Sequence, residues 1–345
     1  MLVTQIAQQA CVSPATVSRA INQPHRVGPA SLARVRAVLH QHNFSPRPHP
    51  ERRGRRSESR ATKRIGVWFV GAKRNDASLG WFQDELLRAQ AADERYRVDL
   101  RLLFSTTTDH LPAGLRHENV DGLIVQGLEP APPAVARMQA WPHVWFMTRR
   151  SPAFPGDYVE PNNEENGALA AQYLHEQGHR SVAVITADPD YSALGRRVSA
   201  FSDRARALGM TVCTILGRAN PGVGYLQILP LHAESESLAR RLLDCPAAPT
   251  GLYLPSDHFC GSFFRALREA GRTPGRDFEA VIGNYNPVVY HNLDHSPAVI
   301  DINLPTLVRN VIDHLFWRID NPAVGGRVGV SISPTLRRAE DSNSA

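Results

Sequence analysis

Cysteine is scarce in this 345-residue chain, which has four, at positions 11, 213, 245 and 260. No two stand in a CxxC spacing, so neither a zinc ribbon nor a bridge is expected, and all four are read as free thiols in a reducing compartment. Long apolar runs are lacking. No stretch approaches the roughly 20 residues needed to cross a bilayer, and the opening MLVTQIAQQAC has no basic segment followed by an apolar block. No membrane partner and no export signal are expected, and a cytoplasmic location is. Catalytic signatures are nearly absent: no GxSxG, no Walker loop and no GxGxxG after a strand pattern occurs. The exception is HEQGH at 175–179, which matches the HExxH pattern of zinc proteases. There Gly178 ends an apolar-periodic helix as its C-cap, so the two histidines diverge and neither a metal site nor an enzyme is expected. The last scarcity is local. Residues 1–64 hold two acidic residues against twelve Lys or Arg, a net charge of +10, whereas residues 65–345 carry −4. The overall +6 therefore hides a cationic module on a mildly acidic body, an asymmetry that points to a nucleic-acid partner.

What the basic module contains is helical. In SPATVSRAIN, Ser13 caps the free N–H groups of a helix and Pro14 suits its first position. Val17 and Ile21 fall on one face, flanked by Ala20 and Pro14, leaving Ala15, Thr16 and Arg19 on the other. Upstream, Ile6, Ala7 and Ala10 mark a second short amphipathic helix, separated from the cap by Cys11 and Val12. Downstream, Leu32, Val35, Val38 and Leu39 supply a third. Two short helices joined by a tight turn are a helix-turn-helix. Helical spacing alone fits a plain three-helix bundle, and the charge decides for nucleic acid.

From Ile65 the pattern changes. RIGVWFV, VDLRLLF, VDGLIVQG, HVWFMT, SVAVITA, TVCTILG, TGLYLPS, FEAVIGNY and PAVIDINL are short apolar runs. They alternate with helical patterns such as GWFQDELLRAQAADE, NGALAAQYLHEQG, LGRRVSAFSDRARALG, SESLARRLLD and FFRALREAG. Strands alternating with helices imply parallel sheets covered on both faces, and the length implies two lobes. Small molecules bind such proteins beyond the carboxyl ends of the strands, in the cleft between lobes. Trp81 and Phe82, after the first strand, read either as stacking groups for an apolar sugar face or as core.

VTQIAQQACVSPATVSRAINQPHRVGPASLARVRAVLHQHNFSPRP resembles the DNA-binding headpiece of the LacI/GalR family of bacterial transcription regulators. VDGLIV, GHRSVAVI, RRVSAF and ALREAG are similar to landmarks of that family's periplasmic-binding-protein-like core. The resemblance implies a second helix lying in the major groove, with Pro14, Ala15 and Arg19 facing base edges. Arginine there pairs bidentately with guanine, and an alanine methyl rests on a thymine methyl. Thr16, Ser18, Asn22 and the N-terminal end of the third helix are expected at phosphates, and Ser13, the cap, is also counted in the DNA-binding surface. The resemblance also places Arg197 in an effector pocket, with Glu165, Ser256, Asp257, Tyr285 and Asp301 on the surrounding loops.

Three departures matter. Cys11 stands where relatives keep a glycine for a left-handed turn, at a cost of about 1 kcal/mol. After Pro46, relatives form a hinge helix that wedges a leucine into the minor groove. Here Pro48 and Pro50 oppose a helix and Arg53 stands near the leucine position. The segment reads instead as a basic strap of Arg47, Arg52, Arg53, Arg55, Arg56, Arg60, Lys63 and Arg64. In the pocket, SD at 256–257 stands where relatives typically show asparagine-aspartate, and NYN at 284–286 where they show an aspartate pair, so the effector is expected to be a decorated, charged or larger sugar, or the pocket to have drifted.

The expected organisation is a three-helix DNA-binding domain at 1–46, a linker at 47–64, a two-lobed α/β core at 65–338 and a polar tail at 339–345. The C-terminal RRAEDSNSA, residues 337–345, has no leucine heptad, so a homodimer is expected rather than a tetramer. The expected function is a carbohydrate-gene repressor that binds near-palindromic double-stranded operator DNA and is controlled by a small sugar-like effector, with no cofactor. The alternative is a constitutive DNA-binding protein with a vestigial pocket.

Overall fold

The computed structural model describes residues 3–22, 26–41, 61–74, 79–117, 120–147, 154–189, 191–217, 228–246 and 248–338. Two compact units divide the chain, residues 1–60 and 61–345.

The first unit holds α1 (Val3–Gln9), α2 (Pro14–Asn22) and α3 (Pro29–Gln41). Ile6, Ala7 and Ala10 of α1, Val17 of α2, and Val35, Val38 and Leu39 of α3 form one buried cluster, with Ala20 and Ile21 packed at its margin. The stripes expected from helical spacing therefore meet. Pro14 is exposed, because it starts α2 at the turn rather than within the stripe.

The second unit begins with β1 (Thr62–Val70), three residues ahead of the expected Ile65. Lys63 and Arg64 are thus strand residues and not part of a free strap. Lys63 Nζ bonds Asp320 at 2.6 Å and Arg64 bonds Asp121 at 3.3 Å. There follow α4 (Gly80–Ala92), β2 (Arg97–Ser105), α5 (Ala113–His117), β3 (Gly122–Gly127), α6 (Pro132–Met138), β4 (His143–Phe146) and β5 (Asp157–Pro161). The chain then enters a second lobe. It comprises α7 (Asn163–Glu176), β6 (Ser181–Thr186), α8 (Ser192–Ala207), β7 (Thr211–Leu216) and α9 (Ile228–Leu243), then β8 (Gly251–Leu254), α10 (Cys260–Glu269), β9 (Glu279–Ile282), α11 (Pro287–Tyr290) and β10 (Ala298–Asp301). Helix α12 (Leu304–Asp320) and β11 (Gly329–Ile332) return to the first lobe, and β12 (Thr335–Arg337) ends in the second.

The sheets run β11-β5-β4-β3-β1-β2 and β12-β10-β9-β8-β6-β7. Every pairing is parallel except that of β12 with β10. Strands such as β3 and β8 are buried at every position, as a sheet covered on both faces requires. Two apolar clusters flank each sheet. In the first lobe one holds Phe69, Leu86 and Val311 and the other Trp68, Met138 and Trp145. In the second lobe they centre on Phe263 and Leu252, and on Phe201 and Tyr253.

Three segments cross between the lobes, at 161–163, 301–304 and 332–335, and they are bonded to one another. Asn162 N–H donates to Ile332 O at 2.8 Å, and Asn303 Nδ2 donates to Ser333 O at 3.0 Å.

Cysteine corrects an expectation. Cys213 and Cys245 form a disulfide across 32 residues, while Cys11 and Cys260 are free. Edge strand β7 lies against the end of α9, where Arg241 Nη1 also donates to Leu216 O at 2.5 Å. That proximity is tertiary and leaves no spacing motif.

Candidate functional sites

In the first unit, Ser13 caps α2: Thr16 N–H donates to Ser13 Oγ at 3.1 Å, and the two hydroxyls lie 2.9 Å apart. Cys11 has φ +50, the left-handed turn expected of a residue in a glycine position. Val12 N–H bonds Ala7 O at 3.0 Å and closes that turn. Ser13, Pro14, Ala15, Ser18 and Arg19 are exposed and Thr16 is half-buried. Arg19 sits in the last turn of α2 with no carboxylate within ion-pair distance among the described residues. Asn22 ends the helix. Burying Val17 and Ile21 against α1 and α3 leaves the opposite face to present this cation. The expectations for Arg47, Arg52, Arg53, Arg55 and Arg56 fall outside the described residues.

In the second unit a cavity opens between the lobes, with chemically different walls. The first lobe and its return segment contribute Leu79, Trp81, Phe82, Met147, Ile302 and Leu304, together with Gln126. Phe82 is also core: its ring stacks on Phe146 at 4.8 Å and meets Phe69 edge-on at 5.6 Å. Phe82 thus both lines the cleft and belongs to the core, whereas Trp81 is half-buried at the rim. The second lobe contributes Tyr191, Arg197, Ser256, Asp257, His258, Asn284 and Asn286, with a small apolar patch of Ala193 and Leu194 from α8.

Arg197 is the centre of the polar wall. It is 2% exposed, and Gly167 explains how α8 comes so close to α7: a Cβ there would stand 2.2 Å from Arg197 O. Arg197 Nε donates to Asn163 Oδ1 at 2.7 Å. Its Nη1 donates to Pro255 O at 2.7 Å, Gly283 O at 3.0 Å and Asn284 Oδ1 at 2.8 Å. Among the described residues Nη2 has no hydrogen-bond acceptor. Burial lowers the Arg197 pKa, partly opposed by Asp257. Asp257 is buried too. Its Oδ1 accepts weakly from Asn284 Nδ2 at 3.5 Å, while Oδ2 has no partner. An unpaired buried carboxylate oxygen costs free energy until a ligand donor reaches it.

Of the residues expected in the pocket, Trp81, Phe82, Arg197, Ser256 and Asp257 line it, and three do not. Glu165 lies in the first turn of α7, where its N–H donates to Asn162 Oδ1 at 3.0 Å. Tyr285 packs 5.4 Å from Tyr290, with Arg337 4.7 Å over its ring. Asp301 belongs to a crossing between the lobes, bonded to Arg337 at 2.6 Å and to Asn303 N–H at 2.8 Å. Sequence reasoning placed NYN at 284–286 in the pocket without giving Asn284 or Asn286 a role of its own, and it passed over Asn163. Only Asn286 carries a readable signal, since Asn before Pro-Val-Val is a helix cap and its Oδ1 accepts from Val288 N–H at 3.0 Å.

The HEQGH motif resolves as expected. Gly178 has φ +91. His179 turns to Thr250 Oγ1 at 2.9 Å and Glu279 Oε2 at 3.0 Å rather than to His175. Among the described residues no cluster of His, Cys, Asp or Glu is placed to hold a metal, and no helix is long and apolar enough to cross a membrane.

A helix-turn-helix unit followed by a two-lobed α/β unit with a ligand-sized cleft defines a DNA-binding regulator of the periplasmic-binding-protein-like class. Residues 3–47 match the model of bacterial regulatory proteins of the lacI family. Residues 68–217 match periplasmic binding proteins and the sugar binding domain of the LacI family, and residues 171–339 a periplasmic binding protein-like domain. The chain is 26% identical over 328 residues to the ribose operon repressor of Escherichia coli K12, covering 92% of this chain and 93% of that one. It is 24% identical to the HTH-type transcriptional repressor PurR of Pectobacterium carotovorum, covering 97% and 94%. Among solved structures it is similar to a transcriptional regulator CelR–cellobiose complex, with TM-score 0.64, 20% identity and 98% of both chains covered. It is also similar to the lac repressor dimer bound to operator and an anti-inducer, with TM-score 0.62, 18% identity and 99% of both covered. The chain belongs to the LacI family of bacterial regulatory proteins. It is a DNA-binding transcription regulator and not an enzyme.

Proposed function

We propose that this protein is a cytoplasmic homodimeric repressor of carbohydrate-utilisation genes, released from its operator by a small sugar-like effector bound between the lobes. The observation that carries the effector class is the division of the cleft. Trp81, Phe82, Leu79 and Met147 offer an apolar wall for the face of a sugar ring. Opposite stand a spare guanidinium donor on Arg197 and an unpartnered acceptor on Asp257, which suit the hydroxyls at the ring's edge. With Asn284 in place of a second carboxylate, Asp257 and Arg197 balance each other, which favours a neutral or singly decorated sugar.

On DNA, α2 lies in the major groove. Arg19 reads a guanine, Ala15 and Pro14 contact base edges, and Ser13, Thr16, Ser18 and Asn22 hold phosphates. Arg47, Arg52, Arg53, Arg55 and Arg56 track the backbone. Two-fold symmetry sets a near-palindromic site. Effector affinity must differ between the operator-competent and operator-released arrangements, since a ligand shifts an equilibrium only by that difference.

The test is a thermal-shift panel on the full chain with D-ribose, D-glucose, cellobiose, ribose 5-phosphate and hypoxanthine. A sugar at a hundredfold excess over its Kd adds about 2.7 kcal/mol to stability and raises Tm. Response to hypoxanthine alone, or to no sugar in a wider series, overturns the effector class.

A further inference from the structure

Two consecutive arginines on α8 face different lobes. Arg197 turns into the second lobe, to the strand ends at Pro255 and Gly283. Arg196 reaches the other way, to Glu160 on β5 of the first lobe. Its Nη1 donates to Glu160 Oε1 at 3.1 Å, its Nη2 bonds Oε2, and Glu164 adds a contact at 3.3 Å. Burial alone would lower the Arg196 pKa, but Glu160 outweighs it and the net shift is upward. Glu160 is 2% exposed and stands one residue before the first crossing between the lobes.

The two arginines are joined through a third side chain. Asn163, fully buried, donates from Nδ2 to Glu160 Oε2 at 3.4 Å and accepts at Oδ1 from Arg197 Nε at 2.7 Å. A carboxylate only accepts and a guanidinium only donates, so an amide between them has one orientation available. Glu160 therefore fixes the Asn163 amide, the amide fixes Arg197 Nε, and the carbonyls of the second lobe fix Nη1. What is left toward the cleft is the single edge at Nη2.

We propose that Glu160 is a positioning residue for the cleft: through Asn163 it sets which edge of Arg197 meets a ligand, and through Arg196 it ties that setting to the contact between lobes. One carboxylate thus makes the shape of the binding site depend on the arrangement of the lobes, the coupling an allosteric regulator needs. The inference uses the cleft reading above only for what Arg197 meets, and its test needs no ligand.

The experiment follows the Arg197 Nε–H signal of the ligand-free full chain by side-chain 15N NMR, assigned by its loss in Arg197→Lys. In the wild type this proton should exchange at least about a hundredfold more slowly than that of exposed Arg206. Glu160→Gln, which weakens the hold on Asn163 Nδ2 by replacing a carboxylate acceptor with an amide and loosens the grip on Arg196, should cut that protection at least about tenfold and also speed backbone exchange over 157–166 and 191–201. Arg196→Lys keeps the charge but loses the bidentate grip. It should speed the same backbone exchange while leaving Arg197 Nε–H protected, because Glu160 still holds Asn163. A purely structural role for Glu160 would lower the melting temperature without separating these two readouts. Fast exchange at Arg197 in the wild type overturns the proposal whether or not the variants fold, and so does full protection in Glu160→Gln.

Discussion

Asp157 and Arg318, 161 residues apart in sequence, meet through two near-parallel hydrogen bonds. Arg318 Nε donates to Oδ2 at 2.7 Å and Nη2 to Oδ1 at 2.8 Å. His314 Nε2 adds a third contact at 2.9 Å and the Val328 N–H a fourth at 2.8 Å. The carboxylate thereby pins the C-terminal half of α12 to the start of β5 and to the entry of β11, at the ends of these elements remote from the crossings between lobes. Burial alone would raise the Asp157 pKa, but Arg318, Val328 and His314 outweigh it and the shift is downward.

A carboxyl whose folded pKa is depressed stabilises the fold above its unfolded value and loses that stabilisation as the pH falls through the folded one. Asp157→Asn should therefore cost about 2 kcal/mol near neutrality, because the partly buried Arg318 loses its charge partner. The deficit should shrink as acid protonates the wild-type carboxyl. Urea melts of both proteins from about pH 7 down to about pH 2 check this, the deficit shrinking only below about pH 4; a difference that stays constant down to that limit would assign the loss to packing.

The disulfide makes a second prediction. Closing a loop between Cys213 and Cys245, 32 residues apart, restricts the unfolded chain by about 3 to 4 kcal/mol. Dithiothreitol, or Cys213→Ser with Cys245→Ser, should lower the melting temperature of the two-lobed unit, and alkylation before and after reduction should count two further thiols. Four thiols labelled without reductant would return these residues to the free state expected from their spacing.

In the first unit, Arg19→Ala should cost about 1 to 3 kcal/mol on a cognate site selected from random DNA and relax the preference at one base pair. An equal loss on random DNA would make Arg19 a phosphate contact.

The linker prediction rests on composition. Replacing Arg52, Arg53, Arg55 and Arg56 with glutamine should flatten the slope of log affinity against log salt by up to roughly 4 units and weaken all sequences alike. A kinked duplex and a strong preference for one central step, lost in Arg53→Ala, would instead show wedging in the minor groove.

Helix α2 was legible because its signals were local: Ser13 and Pro14 at its start and a buried stripe at helical spacing. The strands in apolar runs were legible for the same reason. Strand β5 was not, because Asp157 and Glu160 interrupt its apolar pattern, and both are buried only by virtue of partners supplied from α12 and α8. Helix α12 was hidden because its first residues read as the tail of the preceding strand run, PAVIDINL. Within the cleft, family position found Arg197 and Asp257. Tyr285 and Asp301 were misplaced because position in a loop does not distinguish a cleft wall from a crossing between lobes; Arg337, from the last strand, decides that. The amides of Asn163 and Asn284 gain meaning only once Arg197 lies between them.

The central claim is that a ligand at Arg197 controls DNA binding by a separate unit of the chain. Its most direct test measures operator affinity with and without the sugar that raises Tm, for wild type and Arg197→Ala. The sugar should weaken wild-type binding at least about tenfold, that is by at least about 1.4 kcal/mol. Arg197→Ala should bind operator like wild type without sugar and no longer respond to it. A variant that keeps the full response, or loses operator binding without any ligand, would contradict that claim.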